Sequence, residues 1–265
     1  MKRFSFFALL VLMIAALACS ATPAANPEPS ETPVKPSDTP EPTNTPAPTD
    51  TPTPLPTATP DVAATEAFAA TQTASDVLEE LEKLLGSSDV PYRDGHLLWR
   101  QTEAVKISMS GPQTEDNFRE LDKDLTAGNF IFKSDVTWEA SGLMICGAVF
   151  RSEPNLLEGK QYQFVYLRLS GLPAWAIEVH EFGKYKNSPS GARTAGAIDL
   201  DNGATNQFVL VVRDDNFTLY LNGVRQGTYY DYSKQRNDGS FGFLGWQDSG
   251  NGSCEFKNSW VWSLD

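Results

Sequence analysis

Phe217-Thr218-Leu219-Tyr220-Leu221-Asn222-Gly223-Val224-Arg225-Gln226-Gly227-Thr228-Tyr229 is the stretch that decides the fold class of this chain. Asn-Gly is the dipeptide best suited to the two left-handed positions of a two-residue hairpin turn. Residues 217–221 and 224–229 are therefore expected to be antiparallel neighbours. Upstream, 207–213 is a β-rich run that enters 217–221 through the polar turn Asp214-Asp215-Asn216. Further strand-like runs follow the same rhythm: 97–100, 105–109, 129–138, 143–151, 162–169, 175–182, 241–246 and 254–262. Within 129–138, Phe130, Phe132 and later Val136 and Trp138 fall on alternate positions, the period of a strand with one face buried. Short strands broken by turns, without helical periodicity or βαβ alternation, predict an antiparallel sandwich.

Residues 129–138, Cys146-Gly147-Ala148-Val149-Phe150-Arg151, the hairpin, Gly239-x-Phe241-Gly242-Phe243 and Glu255-Phe256-Lys257-Asn258 occur in an order that resembles the concanavalin A-like lectin and glucanase jelly roll. The flavour is that of its laminin-G-like and 3-keto-disaccharide hydrolase branch. The resemblance covers nearly all of 95–264 and implies an all-β, antiparallel jelly-roll β-sandwich over 87–265. It implies little about activity, because lectins, glycosidases and adhesion modules share the fold.

The first 60 residues differ from all this. Lys2 and Arg3 precede an apolar run, 4–17, and Cys19 follows Ala16-Leu17-Ala18. A positive start, a short apolar core and small residues at a cut are the marks of an export signal, and the run is too short to span a bilayer. The segment resembles a bacterial lipoprotein signal, 1–18, with Cys19 as the lipidated first residue. It departs from that pattern in having Ala16 where a leucine is usual. Ala16-x-Ala18 also fits a cut that releases a soluble, secreted protein; the lipoprotein reading is preferred because it gives the cysteine at the cut a purpose. Residues 19–60 hold most of the 18 prolines, interspersed with threonine. Such a segment forms neither helix nor ladder, and as an extended stalk about 40 residues reach on the order of 100 Å. The expected location is the outer face of the cytoplasmic membrane.

Residues 61–86 turn to Ala, Glu and Leu, predicting a helical segment. Asp76 and Glu79 have capping-box spacing, Leu78, Leu81 and Leu85 share a face, Glu79 and Lys83 suit an i,i+4 pair, and Gly86 is a stop. Oligomeric state is left open.

The formal charge of −13 argues against a phosphate-neutralising surface, so nucleic acid is not an expected partner. Of the 3 cysteines, Cys146 and Cys254 remain after Cys19. In an exported chain they are expected to form a disulfide, whose loop of about 107 residues would be worth about 4–5 kcal/mol in the loop-entropy model. There is no C-x-x-C or H-E-x-x-H, and no metal or other cofactor is expected. Asp199-Leu200-Asp201-Asn202-Gly203 has its glycine one place early for an EF-hand loop and reads better as a polar turn.

Glu178-Val179-His180-Glu181 is the nearest thing to a catalytic string. Alternation puts Glu178 and His180 on one face and Glu181 on the other. Glycosidases of the resembled fold carry Glu-x-Asp-x-x-Glu, and that string is not matched, so no catalytic residue is assigned. The leading reading is a lipid-anchored binding module, with a glycan as ligand and Trp175, Glu178, His180, Tyr229 and Trp246 as the candidate site. Aromatic faces stack on sugar rings while carboxylates and imidazole meet hydroxyls. The alternatives are a glycoside hydrolase or keto-sugar-processing enzyme using Glu178 and His180, and a protein-adhesion or structural surface domain. Trp138 and Trp99 are expected in the core. Trp260 and Trp262 would lie with Cys254 and Phe256 by strict alternation, or on the outer face if a bulge at Asn258 intervenes.

Overall fold

A computed structural model describes residues 62–86, 88–169 and 171–265. The signal at 1–18, Cys19 and the Thr/Pro stretch 19–60 lie outside the described residues. Helix α1 spans Val62–Leu85 and a 3-10 turn spans Tyr92–Asp94. The strands are β1 His96–Arg100, β2 Val105–Ser110, β3 Asn117–Glu120, β4 Phe130–Ala140 and β5 Met144–Ser152. Then come β6 Gln161–Leu169, β7 Leu172–Glu181, β8 Lys184–Asn187, β9 Arg193–Thr194 and β10 Thr205–Arg213. The last are β11 Asn216–Leu221, β12 Val224–Tyr230, β13 Ser240–Gln247 and β14 Asn251–Ser263.

They form two antiparallel sheets, an all-β jelly-roll sandwich. One runs β1-β14-β4-β10-β11-β12 with β2 also on β14; the other runs β3-β13-β5-β6-β7-β8 with β9 on β7. The hairpin of 217–229 forms as its sequence predicts: Leu221 pairs with Val224, and both Asn222 and Gly223 have positive φ. Strands β3, β8 and β9 carry no apolar alternation and were not among the expected runs. All three sit at the periphery of the second sheet, where one neighbour suffices and burial does not dictate the pattern.

Between the sheets, alternate residues interdigitate. Phe132, Phe208 and Phe256 of the first sheet meet Phe243 and Phe164 of the second, Phe243 and Phe256 stacking at 4.1 Å. Trp138 is fully buried here, and Trp99 packs against the same core. The disulfide joins Cys146 of β5 to Cys254 of β14, with Cα atoms 5.7 Å apart, so it staples one sheet to the other through the core.

On the outer face of the first sheet, α1 lays Val77, Leu81 and Leu85 over Ile131, Val209, Val211, Trp260 and Trp262. The i, i+4, i+8 spacing of the buried residues is that of one helix stripe. The capping box does not form: Asp76 lies well inside a continuous helix, and its carboxylate accepts from Gln72 and faces Arg100. Trp260 and Trp262 reach this face because the pairing of β14 with β4 slips between Lys257 and Trp260, with Asn258 at φ 51°. Their indole N–H groups donate to Glu80 and to the Tyr92 carbonyl. Lys133, nearly fully buried on the same face, meets Glu80 at 3.2 Å and Asp135 at 3.1 Å, so helix and sheet share a charge network around a buried ammonium.

Candidate functional site

The outer face of the second sheet has no helix over it among the described residues. Its centre is apolar: Val149, Val165, Ala176 and Leu244 are buried, with Phe118, Ile145 and Leu167 packed around them. At one end the alternating positions turn polar. Gln161 and Gln163 of β6 stand directly opposite His180 and Glu178 of β7, and directly paired residues share a face. His180 Nε2 lies 2.9 Å from Glu178 Oε2. Gln163 donates to Asp116 Oδ2 at 3.4 Å. Asp116 precedes β3, which β13 and β5 separate from β6, so its carboxylate reaches Gln163 across those two intervening strands.

Burial pushes the Asp116 carboxyl above the usual carboxylate range, countered by the nearby His180 and the Gln163 amide and reinforced by the charge of Glu178. The imidazole has its Nδ1 buried and without a partner among the described residues. With Nε2 donating to a carboxylate, Nδ1 is a free acceptor; in the protonated ring it is a free donor. Tyr185 of β8 pairs with His180, lies 6.1 Å from it edge to face, and is 57% exposed. The turn that brings β8 back is Phe182-Gly183, both at positive φ, and Phe182 is exposed beside it. The site is thus a strip of flat polar side chains, with two carboxylates, two amides and one imidazole, edged by an accessible phenol ring.

Of the residues expected at the site, the structure brings together Glu178 and His180. Trp175 is a correction: it is 1% exposed and lies in the core between the sheets. It stands three residues before Glu178, an odd interval, so the alternation that puts Glu178 outside puts Trp175 inside. Tyr229 pairs with the core residue Phe217, packs against the same interior 5.5 Å from Trp175, and donates to the Gln226 carbonyl. Trp246 shares the outer face but sits at its far corner. By register it is four residues along and three strands across from Glu178, roughly 20 Å, with its N–H on the Gln113 carbonyl. Glu181 is held by Lys160 and Lys186. Asp199 accepts from the backbone N–H of Asp201 in a tight polar turn.

Asp116, Gln163 and Tyr185 were not anticipated. Gln161-x-Gln163 in an apolar run is a readable signal of a polar outer row. Tyr185 required recognising Phe182-Gly183 as a hairpin turn, and Asp116 has no local signal at all.

No protein-family model matches the sequence, and no curated protein does. Among solved structures the chain is similar to the carbohydrate-binding module CBM66 from Bacillus subtilis, at 16% identity and a TM-score of 0.46, over 59% of this chain and 94% of that one. It is similar to the β-glucanase of Bacillus licheniformis at 10% identity and a TM-score of 0.44, over 60% and 78%. Sheep galectin-11 in complex with glycerol matches at 9% identity and a TM-score of 0.36, over 55% and 98%. No site residue is carried over from any of them.

Proposed function

We propose that this protein is a saccharide-binding module, anchored to the outer face of the cytoplasmic membrane by lipid on Cys19, and that it binds through Asp116, Gln163, Glu178, His180 and Tyr185. The observation that carries the reading is the unpartnered, buried Nδ1 of His180, flanked by two carboxylates, an amide and an exposed ring. A buried polar atom without a partner is unfavourable unless a ligand or water supplies one. Acceptors and amide donors in a row match vicinal hydroxyls, and the Tyr185 ring offers a face to sugar C–H groups. No lysine or arginine bonds to any of these groups among the described residues, which favours a neutral sugar over an anion. Export and anchoring rest on Lys2, Arg3, the apolar run and Cys19.

The test is a glycan-array screen of the full chain, with and without calcium, followed by titration of the retained sugar. Glu178→Gln and Tyr185→Ala should each weaken binding by tenfold or more without moving the melting temperature. Unchanged affinity in both variants, or no glycan retained, would overturn the reading.

A second reading, a glycoside hydrolase, is favoured by one observation: the Asp116 carboxyl, raised by burial, lies close enough to a second carboxylate, Glu178, for that charge to raise it further. A carboxyl whose proton is held more tightly, set beside a second carboxyl, is a pair that acid–base hydrolysis can use. Release of reducing ends, abolished in Asp116→Asn with binding retained, would establish it in place of simple binding.

A further inference from the structure

Helix α1 covers β14, β4 and β10 on the outer face of the first sheet and stops there, so β11 and β12 continue beyond it uncovered. The step between them is a groove of about 720 Å³, within the usual range of ligand pockets. Its floor is the outer row of three strands, with Val211, Asn216, Thr218, Tyr220 and Thr228, and its wall is the segment 88–90 that follows the helix. It lies on the opposite side of the sandwich from the site above and shares no residue with it.

Two arginines, Arg213 and Arg225, line this groove. Every other arginine of the described residues bonds a carboxylate or a backbone carbonyl. Arg93 meets Glu82, Arg100 meets Asp76, and Arg236 meets Glu153. Arg119, Arg151, Arg168 and Arg193 donate to carbonyl oxygens. Arg225 reaches only the Thr228 hydroxyl, 2.8 Å away, and Arg213 has no bonded partner among the described residues. Asp89 and Asp214 line the same groove, yet neither forms an ion pair with them. In a chain of net charge −13, the two arginines left without an acidic or carbonyl partner face a single depression.

The remaining lining selects the ligand's chemistry. Thr218 and Thr228 hydroxyls bond each other at 2.7 Å, and Arg225 extends that row. Asn216, Ser88 and the two aspartates add further hydroxyl partners, and Tyr220 lies half-buried on the floor. By register Arg213 stands at the Asn216 end and Arg225 at the Tyr220 end. The guanidinium groups therefore bracket a polar floor instead of converging on one point. We propose that this groove is a second saccharide site, built for an acidic oligosaccharide whose uronic-acid carboxylates meet Arg213 and Arg225 while its hydroxyls meet the threonines and Asn216. Guanidinium is the group best matched to a carboxylate, and a hydroxyl-rich floor with few apolar pockets suits a sugar better than an acidic peptide.

The experiment titrates the full chain with oligouronates (galacturonate, glucuronate and mannuronate), with methyl-esterified oligogalacturonate as the uncharged match, and with polyglutamate. At least one oligouronate should bind, at least tenfold more tightly than the ester matches galacturonate, or with an equivalent loss at high salt. The double variant Arg213→Gln/Arg225→Gln should lose that binding with an unchanged melting temperature, and Glu178→Gln should keep it. Loss of binding in Glu178→Gln instead would assign the acidic sugar to the other face. Failure of all the oligouronates, indifference to the double variant, or preference for polyglutamate would overturn the proposal.

Discussion

Cys254 and Trp260 stand on one strand an even number of residues apart and yet face opposite sides of it. Cys254 is bonded through the core to Cys146, and Trp260 lies outside beneath helix α1, with its N–H on Glu80. The inversion occurs at Asn258, at φ 51°, where the β14–β4 register slips. That one bulge gives the same strand a disulfide on its inner face and a helix-docking platform on its outer face.

Asn258 is therefore expected to be sensitive to shape more than to polarity. A β-branched side chain at positive φ costs about 1–2 kcal/mol, so Asn258→Val should lower unfolding free energy by that order, plus the lost bond to Asp135. Asn258→Gly should lose less than half as much. Urea denaturation compares them, and equal losses would show that backbone conformation does not hold the bulge.

Stability and binding should separate at Trp175 and Tyr185. Trp175→Ala removes a fully buried indole and is expected to cost about 3–5 kcal/mol. Tyr185→Ala, on an exposed edge strand, should change stability by roughly 0.5 kcal/mol or less while weakening glycan binding. Melting curves alongside titrations provide both readings.

Removing the disulfide should loosen the two sheets from each other. The Cys146→Ala/Cys254→Ala double variant is expected to lose about 2–5 kcal/mol, read by denaturation, with binding retained under conditions where the protein stays folded. A loss near zero would mean that the aromatic core alone fixes the sheets.

Asp116 predicts a pH signature. Its folded pKa is raised by burial, so its contribution to stability is fully present below the unfolded value near 3.9 and is lost as pH rises through the folded pKa. Asp116→Asn should match the parent in acid and become the more stable of the two as pH rises, while binding sugar less well at neutral pH. Paired denaturation curves from acid to neutral pH test this; a difference independent of pH would contradict it.

Cys19→Ala is expected to move the protein from the membrane fraction to the medium, or to block its processing. Unchanged retention and processing, followed by fractionation and immunodetection, would remove the lipid anchor from the proposal.

The sequence by itself determined the sandwich and the hairpin at one edge of its first sheet. Asn222-Gly223 and the period-2 runs are local signals, and burial between two sheets enforces them at every second residue. It also determined that Glu178 and His180 share a face, since that needs only the parity of one strand. Tertiary structure decided the rest of the site. Asp116 arrives across two intervening strands, Tyr185 from an edge strand whose polar sequence shows no pattern, and Trp175 was lost to the core by an odd interval. Contacts between distant elements depend on strand order and register, which one strand's own residues do not encode. The face shown by Trp260 and Trp262 likewise waited on a bulge, because alternation extrapolates only as far as the register holds.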